Sequence, residues 1–526
     1  MKKITKSLLL GTAAGLVAVA GAQAADMPVK AAPVQYVKIC SLYGDGFYYI
    51  PGTDTCLKMG GYVRVQAEYN MGGGGVSLGS GAAEALQARI NRADTNDINF
   101  RTRAALSWDV RQQTEYGTLR TYIRIGVQQT TPADTEGGVV FWDRAFMQFA
   151  GFTVGKTQSF FDLFTYGGAY SYHNVRVSGD TGAAGITVWA YTAQFGNGFS
   201  GTLSLESLTG HNRAIGTHAV VDNTTANFFG LNGLIVGDNA FGLNPTNGFR
   251  MPDVVVNLRV DQAWGFAGIS GALHDSSGAY WSPAGTNVGP PTFAAIAPGV
   301  NFVNNGHPND KLGWALAAGA KFNLQGGDML GFNACYSEGA AGFCTNQGSA
   351  QLYNSSTSVG VGWIADGVFG SGVDVQLTRV WSALGAYEHI WNPKWRTSWF
   401  GGYVDVSYND SAKNLINASQ NLGAGGFSCN QGLAFIPGVP GQFSAVTPQF
   451  GNSCSPNYSF FEIGSRTQWN PVPQLDIGLE VLYTKHNTAF KGPGIYAVNL
   501  ARPAVFLFDD QEVWSAMFRW QRNFYP

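Results

Sequence analysis

Long segments of this chain alternate between apolar and polar side chains at every second residue, as side chains on the two faces of a β-strand do. In segment 100–111, Phe100 and Leu106 lie on one face, while Arg101 and Arg103 lie on the other. The same alternation runs through segments 62–69, 118–127 and 475–484. Over these four segments one face carries no charged residue in 20 positions and the other carries 10 in 20.

The apolar face of such a strand rests either on the core of a soluble sandwich or on membrane lipid. Strand length favours lipid, because a tilted strand needs about 9–11 residues to cross a bilayer. The sequence contains sixteen segments that we expect to be strands, at 60–70, 100–111, 117–128, 142–150, 151–157, 186–195, 198–208, 253–262, 264–274, 312–324, 328–337, 373–391, 395–409, 458–469, 474–486 and 511–524.

The connections between these segments alternate strictly between short and long. Short turns on one side and long loops on the other are typical of outer-membrane barrels. One apolar stretch, 358–364, is left inside a long loop, because a further strand there would break the alternation. The expected fold is therefore all-β, a 16-stranded antiparallel transmembrane β-barrel with short periplasmic turns and long external loops.

Composition excludes several other classes of protein. Charged residues make up 13% and aromatic residues 13% of the 526 residues, which argues against a disordered chain. With 32 Lys and Arg against 34 Asp and Glu, the chain lacks the basic character of a nucleic-acid-binding protein. Beyond the N-terminus there is no apolar run long enough for a transmembrane helix.

The N-terminus carries the features of a secretory signal peptide. Lys2, Lys3 and Lys6 precede an apolar stretch at 8–20, and Ala-Gln-Ala at 22–24 is a small-residue cleavage site. We expect residues 1–24 to be removed, residues 25–59 to form an N-terminal segment on the periplasmic, plug side, and residues 60–526 to form the barrel.

Six cysteines in an exported chain indicate disulfides. Six cysteines allow 15 pairings, and nearest-neighbour pairing is the simplest of them. That pairing would join Cys40 with Cys56, Cys335 with Cys344, and Cys429 with Cys454. The spacing of cysteines and histidines does not suggest a metal site, and we expect neither a metal nor a cofactor.

Aromatic residues recur at the short turns. Because Tyr and Trp favour the boundary between membrane and water, we interpret them as a girdle; they are Tyr116, Phe195, Phe199, Trp264, Trp391, Trp395 and Trp469.

A set of sequence motifs gives a more specific indication than alternation does. The longest runs from Cys40 to Cys56 (CSLYGDGFYYIPGTDTC) and is followed by Gly-Gly-Tyr-Val-Arg at 60–64. Further similar features are 154–162, 387–389 before Asn-Pro, and 401–403. These motifs resemble those of the alphaproteobacterial outer-membrane porin family. The resemblance implies a 16-stranded, usually trimeric porin in the outer membrane that passes ions and small hydrophilic solutes by passive diffusion. The chain departs from the family in ending on Pro526 instead of an aromatic residue.

The resemblance also implies that the third long loop, residues 158–185, folds into the barrel and narrows it. This third loop offers Asp162 and Asp180 as acids. Alternation places a set of arginines on the lumen side of the early strands, the arginine wall, which consists of Arg64, Arg101, Arg103, Arg120, Arg124 and Arg144. Acids on one side of the opening and arginines on the other would set a transverse field that separates the paths of cations and anions.

Two other functions remain open on the sequence alone. A substrate-specific channel, for example for sugars, would use a line of lumenal aromatics, and we expect Tyr62, Tyr122 and Trp399 to point inward. A barrel enzyme or adhesin is the third hypothesis; the Gly-x-Ser-x-Gly match around Ser77 lies in a glycine-rich loop without the strand-to-helix turn of a nucleophile. We therefore expect no enzymatic activity, and as partners only outer-membrane lipid, further copies of the chain, small solutes and ions.

Overall fold

The structure is a computed structural model of the chain. It describes residues 40–69, 76–77, 98–131, 138–167, 169–173, 177, 181–182, 185–210, 221–222, 250–278, 306–346, 350–354, 358–370, 372–420, 432–435, 443–446, 455–496 and 504–524. The proposed signal peptide, Asp180, Cys429 and Cys454 lie outside these residues.

Sixteen antiparallel strands form one closed barrel, which confirms the expected fold. The strands are β1 (Cys56–Tyr69), β2 (Ile98–Thr114), β3 (Gly117–Thr131), β4 (Val139–Phe149), β5 (Phe152–Thr157), β6 (Ile186–Gly196), β7 (Phe199–Gly210), β8 (Asp253–Gln262), β9 (Gly265–Asp275), β10 (Leu312–Asn323), β11 (Met329–Glu338), β12 (Arg379–Asn392), β13 (Trp395–Ser407), β14 (Tyr458–Trp469), β15 (Leu475–Asn487) and β16 (Gln511–Asn523).

Each strand pairs with its neighbours in the chain, and β16 pairs back onto β1, from Tyr62 opposite Asn523 to Tyr69 opposite Ala516. Closure leaves no free edge, so every barrel strand has a hydrogen-bonded neighbour on both sides, as lipid surroundings require. Every second connection between barrel strands, beginning with 115–116, is short. The connections between these, such as 158–185 and 408–457, are long.

The two faces of the strands lie as the alternation predicts. Val65 and Phe518 are 47% and 45% exposed, whereas their neighbours Gln66 and Arg519 are 1% and 4% exposed. Large apolar side chains are exposed on every one of the sixteen strands, and all seven aromatic residues of the proposed girdle are among them. An outer surface of this size and apolarity is the surface of a membrane barrel.

One predicted orientation is wrong. Trp399 is exposed on the outer face of β13 and stacks on Tyr387 at 5.9 Å between ring centroids, while its neighbour Phe400 is buried in the interior. Segment 395–409 was too apolar on both faces for alternation to decide the direction, because the interior of this wall is itself packed with apolar side chains.

Several strands lie outside the barrel sheet, and two of them bear on the predicted segments. The apolar stretch left inside a long loop contains a strand, Ser358–Trp363, but this strand pairs with Ala350–Asn354 and Ala504–Phe508 and stays outside the barrel. The expected long strand 373–391 is two strands, because Val373–Leu377 pairs with Gly367–Gly370 and the barrel strand β12 starts at Arg379.

The remaining elements are short. They are the strands Tyr48–Tyr49, Val76–Ser77, Val221–Asp222, Gly432–Phe435, Phe443–Val446 and Gly492–Tyr496, the helix α1 (Asp410–Gln420), and the 3₁₀ helices Ser41–Tyr43, Gln325–Gly327 and Ala341–Phe343. None of the helices in the described residues is both long and apolar enough to span a membrane.

Among the described residues there are two disulfides, and both join nearest neighbours in the sequence of cysteines. Cys40–Cys56 closes a hairpin that lies against the start of β1, where Tyr48–Tyr49 pairs with Cys56 and Leu57. Cys335–Cys344 ties β11 to the 3₁₀ helix that follows it.

Candidate functional site

The arginine wall lies on four adjacent strands, β1 to β4. Arg64 on β1 is directly opposite Arg103 on β2, and Arg124 on β3 is directly opposite Arg144 on β4. Arg101 lies opposite Gln66, closer to the external end of β2. The strand register therefore brings the predicted arginines onto one continuous side of the interior.

Arg64 and Arg103 are held by neutral partners. Arg64 donates from Nε to Gln521 Oε1 at 2.6 Å, and Arg103 donates from Nε to Gln128 Oε1 at 2.9 Å. The Arg103 guanidinium also lies 4.4 Å from the ring centroid of Phe141. Glutamine and aromatic partners fix the position of a guanidinium without cancelling its charge.

Asp109 pairs with two arginines nearer the periplasmic end. Arg120 reaches it through Nε and Nη2 at 3.0 and 2.9 Å, and Arg111 reaches it at 3.0 and 2.8 Å. Both contacts are bidentate, the geometry that suits a guanidinium and a carboxylate. One aspartate therefore serves two arginines, and the group keeps a net positive charge.

A bulge in β4 brings an unpredicted acid into the wall. Arg124 is opposite Arg144 but the next residue, Ile125, is opposite Trp142, so Asp143 is left over in the ladder. Because of the extra residue, Asp143 is 5% exposed beside Arg144 and lies 3.0 Å from Arg124 Nε.

The third loop lies inside the barrel against the opposite wall. Its first arm is anchored on β7, where buried Glu206 accepts from Ser159 Oγ at 2.6 Å and from the Phe160 backbone N–H at 2.9 Å. Further along, Ser398 Oγ on β13 donates to the Tyr170 carbonyl at 2.5 Å. The Tyr166 hydroxyl donates to Glu462 on β14.

Residues 171–173 of the third loop dock on a single carboxylate of β15. Glu480 accepts from Ser171 Oγ at 3.3 Å, Tyr172 N at 2.5 Å, His173 N at 3.2 Å and His173 Nδ1 at 2.9 Å. Beside it, Arg519 on β16 donates to the Tyr172 carbonyl at 2.6 Å and stacks on the Tyr172 ring at 4.0 Å. The wall thus presents both an acceptor and a donor to the loop backbone.

Of the two predicted loop acids, the structure describes Asp162. Asp162 accepts from Thr181 N at 2.9 Å and from Thr181 Oγ1 at 2.5 Å, so it joins the outgoing and returning arms of the loop. Asp180 is outside the described residues. Where the described part of the loop meets the arginine wall, Arg144 Nη2 donates a hydrogen bond to the Gly182 carbonyl.

Sequence reasoning missed the wall groups that hold the loop. Glu480 and Arg519 were both on the polar faces of their strands, so alternation gave their direction but not their partners. Glu206, Glu462 and His173 carried no recognisable motif, because their partners lie far away in the chain. Among the described residues no cluster of His, Cys, Asp and Glu could hold a metal ion.

Comparison with known proteins gives the family. A family profile described as a porin subfamily matches residues 26–517. The chain belongs to this porin subfamily. As a member of it, this porin is a barrel of the outer membrane.

The relatives of this porin include porin Omp2b of Brucella suis, 34% identical over 276 residues that cover 49% of this chain and 63% of that protein. The match to porin Omp2b of Brucella neotomae is 32% identical and covers 60% of this chain and 80% of that protein. The matched part is thus less than two thirds of the length of the Brucella suis porin. Among solved structures, the outer membrane channel DcaP of Acinetobacter baumannii has a TM-score of 0.50 at 13% identity, covering 90% of this chain and 99% of that one. This last likeness supports the fold alone.

Proposed function

We propose that the barrel is a water-filled channel through which ions and small hydrophilic solutes diffuse passively across the outer membrane. The observation that carries the proposal is the pair of faces: apolar side chains are exposed outside and arginines lie inside a closed sheet. A barrel of sixteen strands is wide enough to leave an aqueous lumen. Family membership points to a channel instead of an enzyme.

The narrow part of this channel lies between the arginine wall and the third loop. The described loop contacts lie mainly on β7 and β9 to β16, whereas Arg64, Arg103, Arg120 and Arg124 on β1 to β3 bond to wall side chains. Solutes would therefore pass along the arginines. We propose that Asp162 and Asp180 supply the acidic charge of the third loop at this narrow part of the channel.

We also propose that the channel prefers anions. Arg64 and Arg103 have neutral hydrogen-bond partners, and Asp109 is shared by two arginines. The low-dielectric walls of a narrow opening strengthen the effect of such uncompensated charge on passing ions.

Planar-bilayer recording on the purified porin tests both proposals. Wild type should give stepwise ion conductance, and a salt gradient should give a reversal potential of the sign expected for anions. Protein that is folded but gives no steps would overturn the diffusion channel. A saturable block by one class of solute, such as a sugar, would support the substrate-specific alternative.

Arg103→Glu should shift the reversal potential towards cations, because it reverses a charge on the solute path. The matched control is Arg379→Glu, which changes the charge equally on the outer rim, where Arg379 pairs with Glu338 and its side chain is 59% exposed. An equal shift in both variants, or none in Arg103→Glu, would show that the arginine wall does not line the ion path.

We propose a homotrimer on the strength of the family resemblance. Light scattering of the detergent-solubilised porin, corrected for bound detergent, measures the mass directly; a monomeric mass in mild detergent would contradict the proposal.

A further inference from the structure

The wall beneath the third loop is marked by glycines on five different strands. These wall glycines are Gly268 on β9, Gly319 on β10, Gly331 on β11, Gly402 on β13 and Gly478 on β15. Glycine in a strand lowers its stability by roughly 0.5–1 kcal/mol relative to alanine. Where a strand glycine occurs, it often marks the close approach of another part of the chain.

Each wall glycine lies directly under a side chain of the loop. A Cβ added at Gly268 would come within 2.8 Å of Leu163 Cδ2, and one added at Gly402 within 2.7 Å of Val177 Cγ1. A Cβ at Gly319 would lie 3.0 Å from Leu163 Cβ. These separations are shorter than van der Waals contact, so a larger residue at these positions would displace the loop side chains above it.

The overlap is most severe at the remaining two positions. A Cβ at Gly331 would overlap the ring of Phe164, and one at Gly478 would overlap the hydroxyl of Tyr172. Both loop side chains are buried, Phe164 at 4% exposure. Burial restricts the movement of both rings, so we expect relief of the overlap to shift the loop away from the wall.

We propose that the wall glycines determine the width of the channel by letting the third loop lie flat against the wall. The inference rests on the proposed diffusion function and extends it, because it names the residues that keep the opening wide. The carboxylates Glu206 and Glu480 fix where along the wall the loop docks; the glycines fix how far the loop projects into the lumen.

The test is Gly331→Ala, recorded as single channels in planar bilayers. The added methyl group should push Phe164 and the loop towards the arginine wall, so single-channel conductance should fall and the largest neutral solute that enters should become smaller. In Gly331→Ala combined with Phe164→Ala the ring is removed, and conductance should return to at least the wild-type value.

Gly385→Ala is the matched control, because a Cβ there would meet nothing closer than the Gly331 carbonyl at 3.7 Å and would face outwards. It should conduct as wild type does. Unchanged or increased conductance in Gly331→Ala, or an equal loss in Gly385→Ala, would overturn the inference. Failure of wild type to conduct would instead overturn the proposed function.

A second pair guards against a variant that fails to fold. Gly268→Ala should also lower conductance, and adding Leu163→Ala should restore it. Heat-modifiable migration on gels, which distinguishes folded barrels from unfolded chains, is measured for every variant. If folded Gly268→Ala and Gly331→Ala both conduct like wild type, the wall glycines do not set the width.

Discussion

At the scale of single residues, Asp328 shows how one side chain can join two barrel strands at the periplasmic rim. It lies in the short turn before β11, and its carboxylate accepts from Tyr387 Oη at 2.6 Å, His389 Nδ1 at 2.8 Å and the Ile390 N–H at 2.9 Å. These bonds favour the charged form and hold the pKa of Asp328 down at about 2.

The depressed pKa predicts how stability depends on pH. Because the folded pKa lies below the unfolded value of about 3.9, Asp328 stabilises the barrel above that value, and the contribution is lost as the pH falls towards 2. Asp328→Asn should lower the melting temperature at pH 7 by roughly a degree or two, and the difference from wild type should vanish near pH 2. Circular dichroism in detergent measures both.

Asp54→Asn is the control for this prediction, since Asp54 is an exposed acid in a turn of the N-terminal hairpin. A difference between wild type and Asp328→Asn that stays constant from pH 7 to pH 2 would show that the carboxylate charge is not what stabilises the turn.

At the scale of elements, local pattern predicted the strands well and their irregularities poorly. Alternation gives the direction of Arg124 because it reports on a strand with an unbroken period of two. The bulge at Asp143 inserts one residue into β4. No local pattern in the sequence marks this insertion, so the position of Asp143 in the arginine wall could not be predicted. Docking of the loop was equally hidden, because Tyr166 and Glu462 are 296 residues apart in the chain.

Docking of the third loop on Glu480 can be tested by a substitution that removes one of its acceptor oxygens. In Glu480→Gln the amide NH₂ is a donor, so at least one of the N–H groups of Tyr172 and His173 loses its acceptor, at a cost of about 1–3 kcal/mol for a buried group. A less firmly docked loop should give noisier single-channel currents and closure at lower voltage. Recordings at stepped voltages measure both.

Glu512→Gln is the matched control, because Glu512 forms an exposed pair with Lys485 on the outer face. Currents from Glu480→Gln that are as quiet as those of wild type and the control would show that the carboxylate does not hold the loop.

At the scale of the whole molecule, the order of the barrel follows from a sum of weak signals. Each strand offers only about five outward positions, but sixteen of them, separated by alternately short and long connections, leave one closed antiparallel arrangement. Apolar stretch 358–364 could not be assigned by this logic, because its strand pairs with other external segments. The predicted direction of Trp399 was wrong for a related reason. The inner face of β13 is filled by apolar contacts with the loop, so the two faces of this strand are similar in sequence.

The apolar outer face of the barrel can be tested for contact with lipid. Ile125 lies midway along β3, is 39% exposed and faces outwards between Ile123 and Val127. In a bilayer, Ile125→Arg places a charge in hydrocarbon and should lower the free energy of unfolding by roughly 2–4 kcal/mol, the cost of an arginine near the midplane. Folding into lipid vesicles from urea, followed by tryptophan fluorescence, measures this loss. Ile125→Leu keeps the position apolar and should fold as wild type does. The same arginine in a water-exposed surface would cost almost nothing, so equal stability of the two variants would mean that this face of the barrel does not contact lipid, and the channel interior assigned to the opposite face would lose its basis.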